Sequence, residues 1–227
     1  MKIEIWSDFM CPFCYMGQQR LQKAIEKFGH EVEVVYRTFQ LFPGFRPQLG
    51  KNLYESIALF KGADVGDIAK LHDRLAQTGK LEGLEFNFGQ VVPTDTTDAL
   101  RLIHFAKEMG KSEEFIAAVF KGYFTDVLDI GDHLTLIQLA DSVGLDPQLV
   151  EQVLLSGAYT EELEKDRQTG QAIGVKGVPF YVIDNRYAIS GAQESAVFLE
   201  VLEKARLEEE EDGGSQCCSD CTCGKRG

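Results

Sequence analysis

No apolar run in the chain is long enough to span a bilayer, which argues against an α-helical membrane protein. A hydrophobic signal core is also missing, since MKIEIWSD alternates apolar and polar residues from its second position. Cations are few: 23 Lys and Arg stand against 36 Asp and Glu, for a formal net charge of −13. Phosphate binding needs clustered Lys and Arg, so neither nucleic acid nor an anionic membrane is an expected partner. Cysteine is absent between two tight groups, Cys11 with Cys14, and Cys217, Cys218, Cys221 and Cys223. Disulfide-stapled secreted domains spread their cysteines, so that class is excluded too. There is no internal repeat. Together these absences lead to the expectation of a cytoplasmic protein whose thiols are catalytic or metal-binding.

At 227 residues and 44% apolar content, the chain can bury a sizeable core. KIEIW reads as a strand, and a helical period begins at Cys11 and ends at Gly29. VEVVYRTF, residues 32–39, is rich in β-branched and aromatic residues and reads as a second strand, completing a βαβ unit with parallel pairing. After the turn-rich FPGFRPQLG, nearly everything to Gly157 reads as helix, punctuated by Gly110, Gly144 and the Asp146–Pro147 start signal. A further helix follows, then PFYVID and RYAISG as a hairpin turning at Asp184–Asn185. A last helix is expected from about Glu194 to Arg206, with Phe198, Val201, Leu202 and Ala205 on one face. The expected organisation is α/β, βαβ … αββα, with residues 1–42 and 158–207 forming one domain. Residues 43–157 are an all-helical insertion, and 208–227 an acidic linker with a flexible cysteine-rich tail.

Cys11 and Cys14, in DFMCPFCYMG, lie one helical turn apart, close enough for a disulfide. With Cys11 as N-cap, Pro12 takes the first helical position, where its missing N–H costs nothing. The Cys14 amide is then expected to point at the Cys11 sulfur. The helix's positive end favours a thiolate there, making Cys11 the nucleophile and the less exposed Cys14 the resolving thiol. A zinc site at this pair is not expected. It needs four ligands, and no other cysteine precedes Cys217, while no histidine lies nearer than His30. GVKGVPFYV adds a second signal, a Val178–Pro179 bond at a strand start. Beside CPFC this reads as cis, leaving the Val178 N–H and C=O free to pair with an extended substrate.

IEIWSDFMCPFCYMG, GVKGVPFYV and RYAISGAQ, in that order, resemble the DsbA-like thiol oxidoreductases, and within them the FrnE-type branch. The resemblance covers about residues 1–207 and implies a thioredoxin-like fold with a large helical insertion. It implies Cys11 as nucleophile, Cys14 as resolving thiol, and Val178, Pro179, Pro12 and Phe13 as the substrate-binding surface. The expected activity is disulfide oxidoreduction or isomerisation on protein substrates, after oxidative stress for example, with a small thiol or dithiol electron donor and no required cofactor. Phe13 offers neither charge nor hydrogen bond to a Cys11 thiolate, so the couple is expected to be less oxidising than in members with Pro-His at these positions.

CCSDCTC places four thiols in seven residues. Two readings stand side by side: a soft-metal site for Zn²⁺ or Cu(I), and a second redox pair exchanging with Cys11–Cys14. The alternatives for the whole chain are a glutathione-dependent isomerase or transferase of the kappa type, although that chemistry generally uses serine where this chain has Cys11, and a metal-binding thiol protein that uses the C-terminal cysteine cluster. Trp6, Phe9 and Met10 are expected to form an apolar rim around the site. Thr96, Thr97 and Asp98 read as a helix start, His72 and His104 as packing or surface residues, and Tyr15 and Met16 as facing the insertion.

Overall fold

The structure, a computed structural model, describes residues 1–214. Strand β1 (Lys2–Ser7) leads into α1 (Pro12–Phe28), which closes on Gly29 at φ 69°, the left-handed conformation glycine adopts freely. β2 (Glu33–Thr38) then returns parallel to β1. Seven helices follow: α2 (Leu53–Lys61), α3 (Val65–Glu82), α4 (Thr97–Glu108), α5 (Ser112–Phe124), α6 (His133–Ser142), α7 (Pro147–Ser156) and α8 (Thr160–Ala172). β3 (Phe180–Ile183) and β4 (Tyr187–Ser190) form a hairpin, and α9 (Ser195–Gly214) ends the described chain. Asp184 and Asn185 both take positive φ in the hairpin turn, a conformation their short polar side chains tolerate.

The sheet order is β2-β1-β3-β4, so the chain's first strand is central, parallel to β2 and antiparallel to β3. Tyr36, Ile5, Tyr181 and Ile189 are in register across the four strands and share one face. That face packs on α1 and α9, with the Tyr181 ring edge-on to Phe198 at 4.8 Å. The other face packs on α8, whose Asp166 carbonyl accepts from Trp6 Nε1 at 3.0 Å. Gly170 permits this approach, because a Cβ there would lie 2.7 Å from Trp6 Nε1. This is the thioredoxin-like arrangement, with the helical segments between β2 and β3.

Two expectations are corrected. Trp6, Phe9 and Met10 do not form a rim: all three are buried, Phe9 packing edge-on against Phe115 and Phe120 of α5. The insertion thus covers surface that, in the bare βαβ unit, would face water. The acidic run from Glu208 is not a linker in the described residues, since α9 continues through it to Gly214; glutamate is a strong helix former. The cysteines of the C-terminal cluster lie outside the described residues. No helix among those described is long and apolar enough to cross a membrane.

A partly buried ion cluster ties α1 to α3. Arg20 Nε donates to Glu82 at 2.9 Å, and Lys23 Nζ to the same carboxylate at 2.7 Å. Arg20 also reaches Glu194 and the Ala192 carbonyl before α9. The Lys23 and Arg20 hydrogen bonds hold the Glu82 carboxyl below its ordinary range. A lowered carboxyl stabilises the fold above its unfolded pKa, and this contribution is lost as pH falls through the folded value. Glu82→Gln should therefore cost about 1 kcal/mol at neutral pH, allowing for solvent screening. Its difference from wild type should vanish in acid, as read by urea denaturation across that range.

Candidate active site

The turn from β1 into α1 is closed by two backbone bonds, Cys11 N–H to the Asp8 carbonyl at 3.1 Å and Cys14 N–H to the Cys11 carbonyl at 2.9 Å. Cys11 is the N-cap and Pro12 the first helical residue, as the spacing implied. The Cys14 amide does not point at the Cys11 sulfur, which makes no capping bond. Cys11 Sγ turns instead toward the loop before β3 and donates to the Val178 carbonyl at 3.4 Å. A thiol S–H is a weak donor, and that carbonyl lies within its reach. The Val178 C=O is therefore occupied, not free as the sequence suggested. A substrate strand pairing there must displace the thiol.

The Val178–Pro179 bond is cis. Val178 is half-buried, Pro179 buried, Pro12 buried and Phe13 exposed, so of the expected substrate surface Phe13 is the side chain most open to a partner. Cys11 and Cys14 are both free thiols, 2% and 3% exposed. The expected asymmetry of exposure is absent, because the proline loop covers Cys11 as completely as the helix covers Cys14. Burial, reinforced by the neighbouring Cys11 sulfur, pushes the Cys14 thiol well above its ordinary range, while the Ser7 hydroxyl and the Asp8 amide oppose that shift.

Sequence reasoning missed Asp8, which stands three residues before Cys11 and is 1% exposed. Its carboxylate accepts from Leu41 N–H, from Thr96 Oγ1 at 2.8 Å and from Met10 N–H at 3.3 Å. One buried group thus joins the motif loop, the connector after β2 and the start of α4. Burial raises its pKa against these three donors. Thr96, expected as a helix cap, makes no capping bond and binds Asp8 instead. An aspartate after a strand has an ordinary turn role in sequence, so nothing marked it. Tyr15 does face the insertion, stacking on Phe120 at 5.3 Å. His72 stacks on Phe88 in a buried setting that lowers its pKa to about 4, and His104 lies against Thr38 and Asp166. Both act in packing.

A dithiol at a helix start, faced by a cis-proline loop on a thioredoxin-like sheet, defines a thioredoxin-superfamily site. The chain belongs to the DsbA-like thioredoxin domain family, whose model matches residues 2–203. A crystal structure described as a probable DsbA oxidoreductase, from Streptomyces coelicolor, superposes with TM-score 0.85 at 36% identity, covering 92% of this chain and 91% of that one. The uncharacterized Bacillus subtilis protein YwbO is 31% identical over 201 residues, 86% of this chain and 92% of that protein. The cytosolic disulfide reductase DsbM of Pseudomonas aeruginosa shares the fold at TM-score 0.60 and 16% identity, covering 93% and 98% of the two chains.

Asp8→Ala leaves three donors without their acceptor, two of them backbone. It should cost about 2–4 kcal/mol in urea denaturation, and Thr96→Val about 1 kcal/mol. Equal small losses in the two variants would show that Asp8 does not hold the junction.

Proposed function

We propose that this protein exchanges disulfides with protein substrates through Cys11 and Cys14. The observation that carries the reading is the meeting of Cys11 Sγ with the Val178 carbonyl, 3.4 Å apart although 167 residues separate them. Cys11, at the helix N-terminus, attacks a substrate disulfide and forms a mixed disulfide. Cys14, one turn on, resolves it. Val178 and Pro179 receive the substrate backbone once the Cys11 thiol leaves the Val178 carbonyl, and Phe13 with Pro12 supplies an apolar contact. Protein disulfides and a small thiol or dithiol donor are the partners, no cofactor is required at the dithiol, and the setting is a reducing cytoplasm. Net reduction or isomerisation follows from that setting and from Phe13, which gives a Cys11 thiolate no added stabilisation. The FrnE-type branch is the proposed affiliation within the family.

Insulin disulfide reduction with dithiothreitol as donor tests this. Wild type should be active, and Cys11→Ser should lose at least a hundredfold. An inactive wild type would move the reading to a glutathione-dependent isomerase or transferase of the kappa type; 2-hydroxychromene-2-carboxylate isomerase shares the fold at TM-score 0.69 and 17% identity.

For the cysteines of the tail two readings are proposed, a soft-metal site and a second redox pair that relays with Cys11 and Cys14. Four thiolates suit Zn²⁺ or Cu(I), and a redox role for Cys217, Cys218, Cys221 and Cys223 would be exchange with the Cys11–Cys14 disulfide. Full-length protein should bind about one equivalent of metal, and a variant ending at Asp212 none. Equal, negligible content in both removes the metal reading.

A further inference from the structure

One polar group beside the dithiol has no partner. Tyr181 of β3 is 1% exposed, and its hydroxyl makes no hydrogen bond to any described residue. An unpaired buried hydroxyl is costly, and phenylalanine would fill the same ring volume without it. Its location is set by Gly17: an ideal Cβ there would lie 2.2 Å from the Tyr181 oxygen and 3.3 Å from Pro179 Cγ. The phenol oxygen therefore rests against the α1 backbone, next to the proline of the loop that covers Cys11. Gly17 follows Cys14 by one turn on the same helix face, a spacing of about 5–6 Å. Joining the hydroxyl to the Cys14 sulfur takes a movement of the ring or one bridging water.

We propose that Tyr181 is a positioning residue for the resolving thiol: its hydroxyl donates to Cys14 when that sulfur becomes a thiolate. The proposal rests on the dithiol-exchange reading. In the resolving step Cys14 loses its proton, and its thiolate attacks the Cys11 sulfur of the mixed disulfide. The Cys11–Cys14 bond forms, the bond to the substrate sulfur breaks, and the substrate leaves as a thiolate that takes up a proton. The substrate disulfide is reduced as the dithiol is oxidised, so no further oxidant enters. Burial works against the first event, and the Ser7 hydroxyl and Asp8 amide are the donors already facing Cys14. Tyr181 adds a third from the β3 side. Burial, followed by the influence of charge on Cys14, raises the phenol pKa well above its ordinary value, so the group stays protonated and remains a donor.

The test follows one turnover. Full-length protein is converted to its thionitrobenzoate mixed disulfide at Cys11, and release of the coloured thiol is followed against pH. Cys14→Ser supplies the blank for release by other thiols. Tyr181→Phe should slow release about tenfold at neutral pH and move the rate profile to higher pH, the effect of losing a hydrogen bond to a charged group. The thermal midpoint of its reduced form should equal or exceed that of wild type, because the lost hydroxyl had no partner. Coincident rate profiles, or a lowered midpoint with an unmoved profile, overturn the proposal. Failure of wild type to release thiol faster than Cys14→Ser overturns dithiol exchange itself, and this inference with it.

Discussion

The pairing of β1 on both of its edges is the constraint on which the site depends. β1 is laid parallel to β2 through α1 and antiparallel to β3 across most of the length of the chain. Its C-terminal end delivers Cys11, and the N-terminal end of β3 delivers Val178 and Pro179 to the same place. A central strand has no free edge, so its register is specified by ladder bonds on both sides and by Ile3 and Ile5 facing one core. The meeting of sulfur and carbonyl is a consequence of that register.

The insertion is part of this geometry. Phe9 enters the aromatic packing of α5, Tyr15 stacks on Phe120, and Asp8 receives Thr96 at the start of α4. The residues immediately before and after the cysteines are thus held by helices that contribute no thiol. The buried Asp8 carboxylate joins the insertion to the residues before the dithiol, its donors coming from three separate segments. The Arg20 and Lys23 pairs to Glu82 give α1 a second attachment to the insertion, near its middle.

Both thiols are closed off from solvent, and burial holds the Cys14 thiol well above its ordinary range. Ser7 and Asp8, the polar groups that face Cys14, belong to β1 and its following turn, both anchored by the sheet. Their positions relative to the sulfur are therefore set before any substrate binds, the condition under which a buried donor is most effective.

The sequence by itself determined the local pieces. Alternation in KIEIW, the cysteine spacing with Pro12 between, Gly29 and the Asp184–Asn185 turn each act over a few residues, so their outcomes are legible without the fold. The same holds for Cys11 as N-cap, a matter of one turn of helix. Only the tertiary structure decided that Trp6, Phe9 and Met10 are interior, that Cys11 is as covered as Cys14, and that its thiol bonds the Val178 carbonyl. It alone brought Asp8 to Thr96 and the Tyr181 hydroxyl against Gly17. The physical reason is the same in each case. Burial and hydrogen-bond partners are properties of surfaces meeting across the chain, and no local pattern records which surface will arrive.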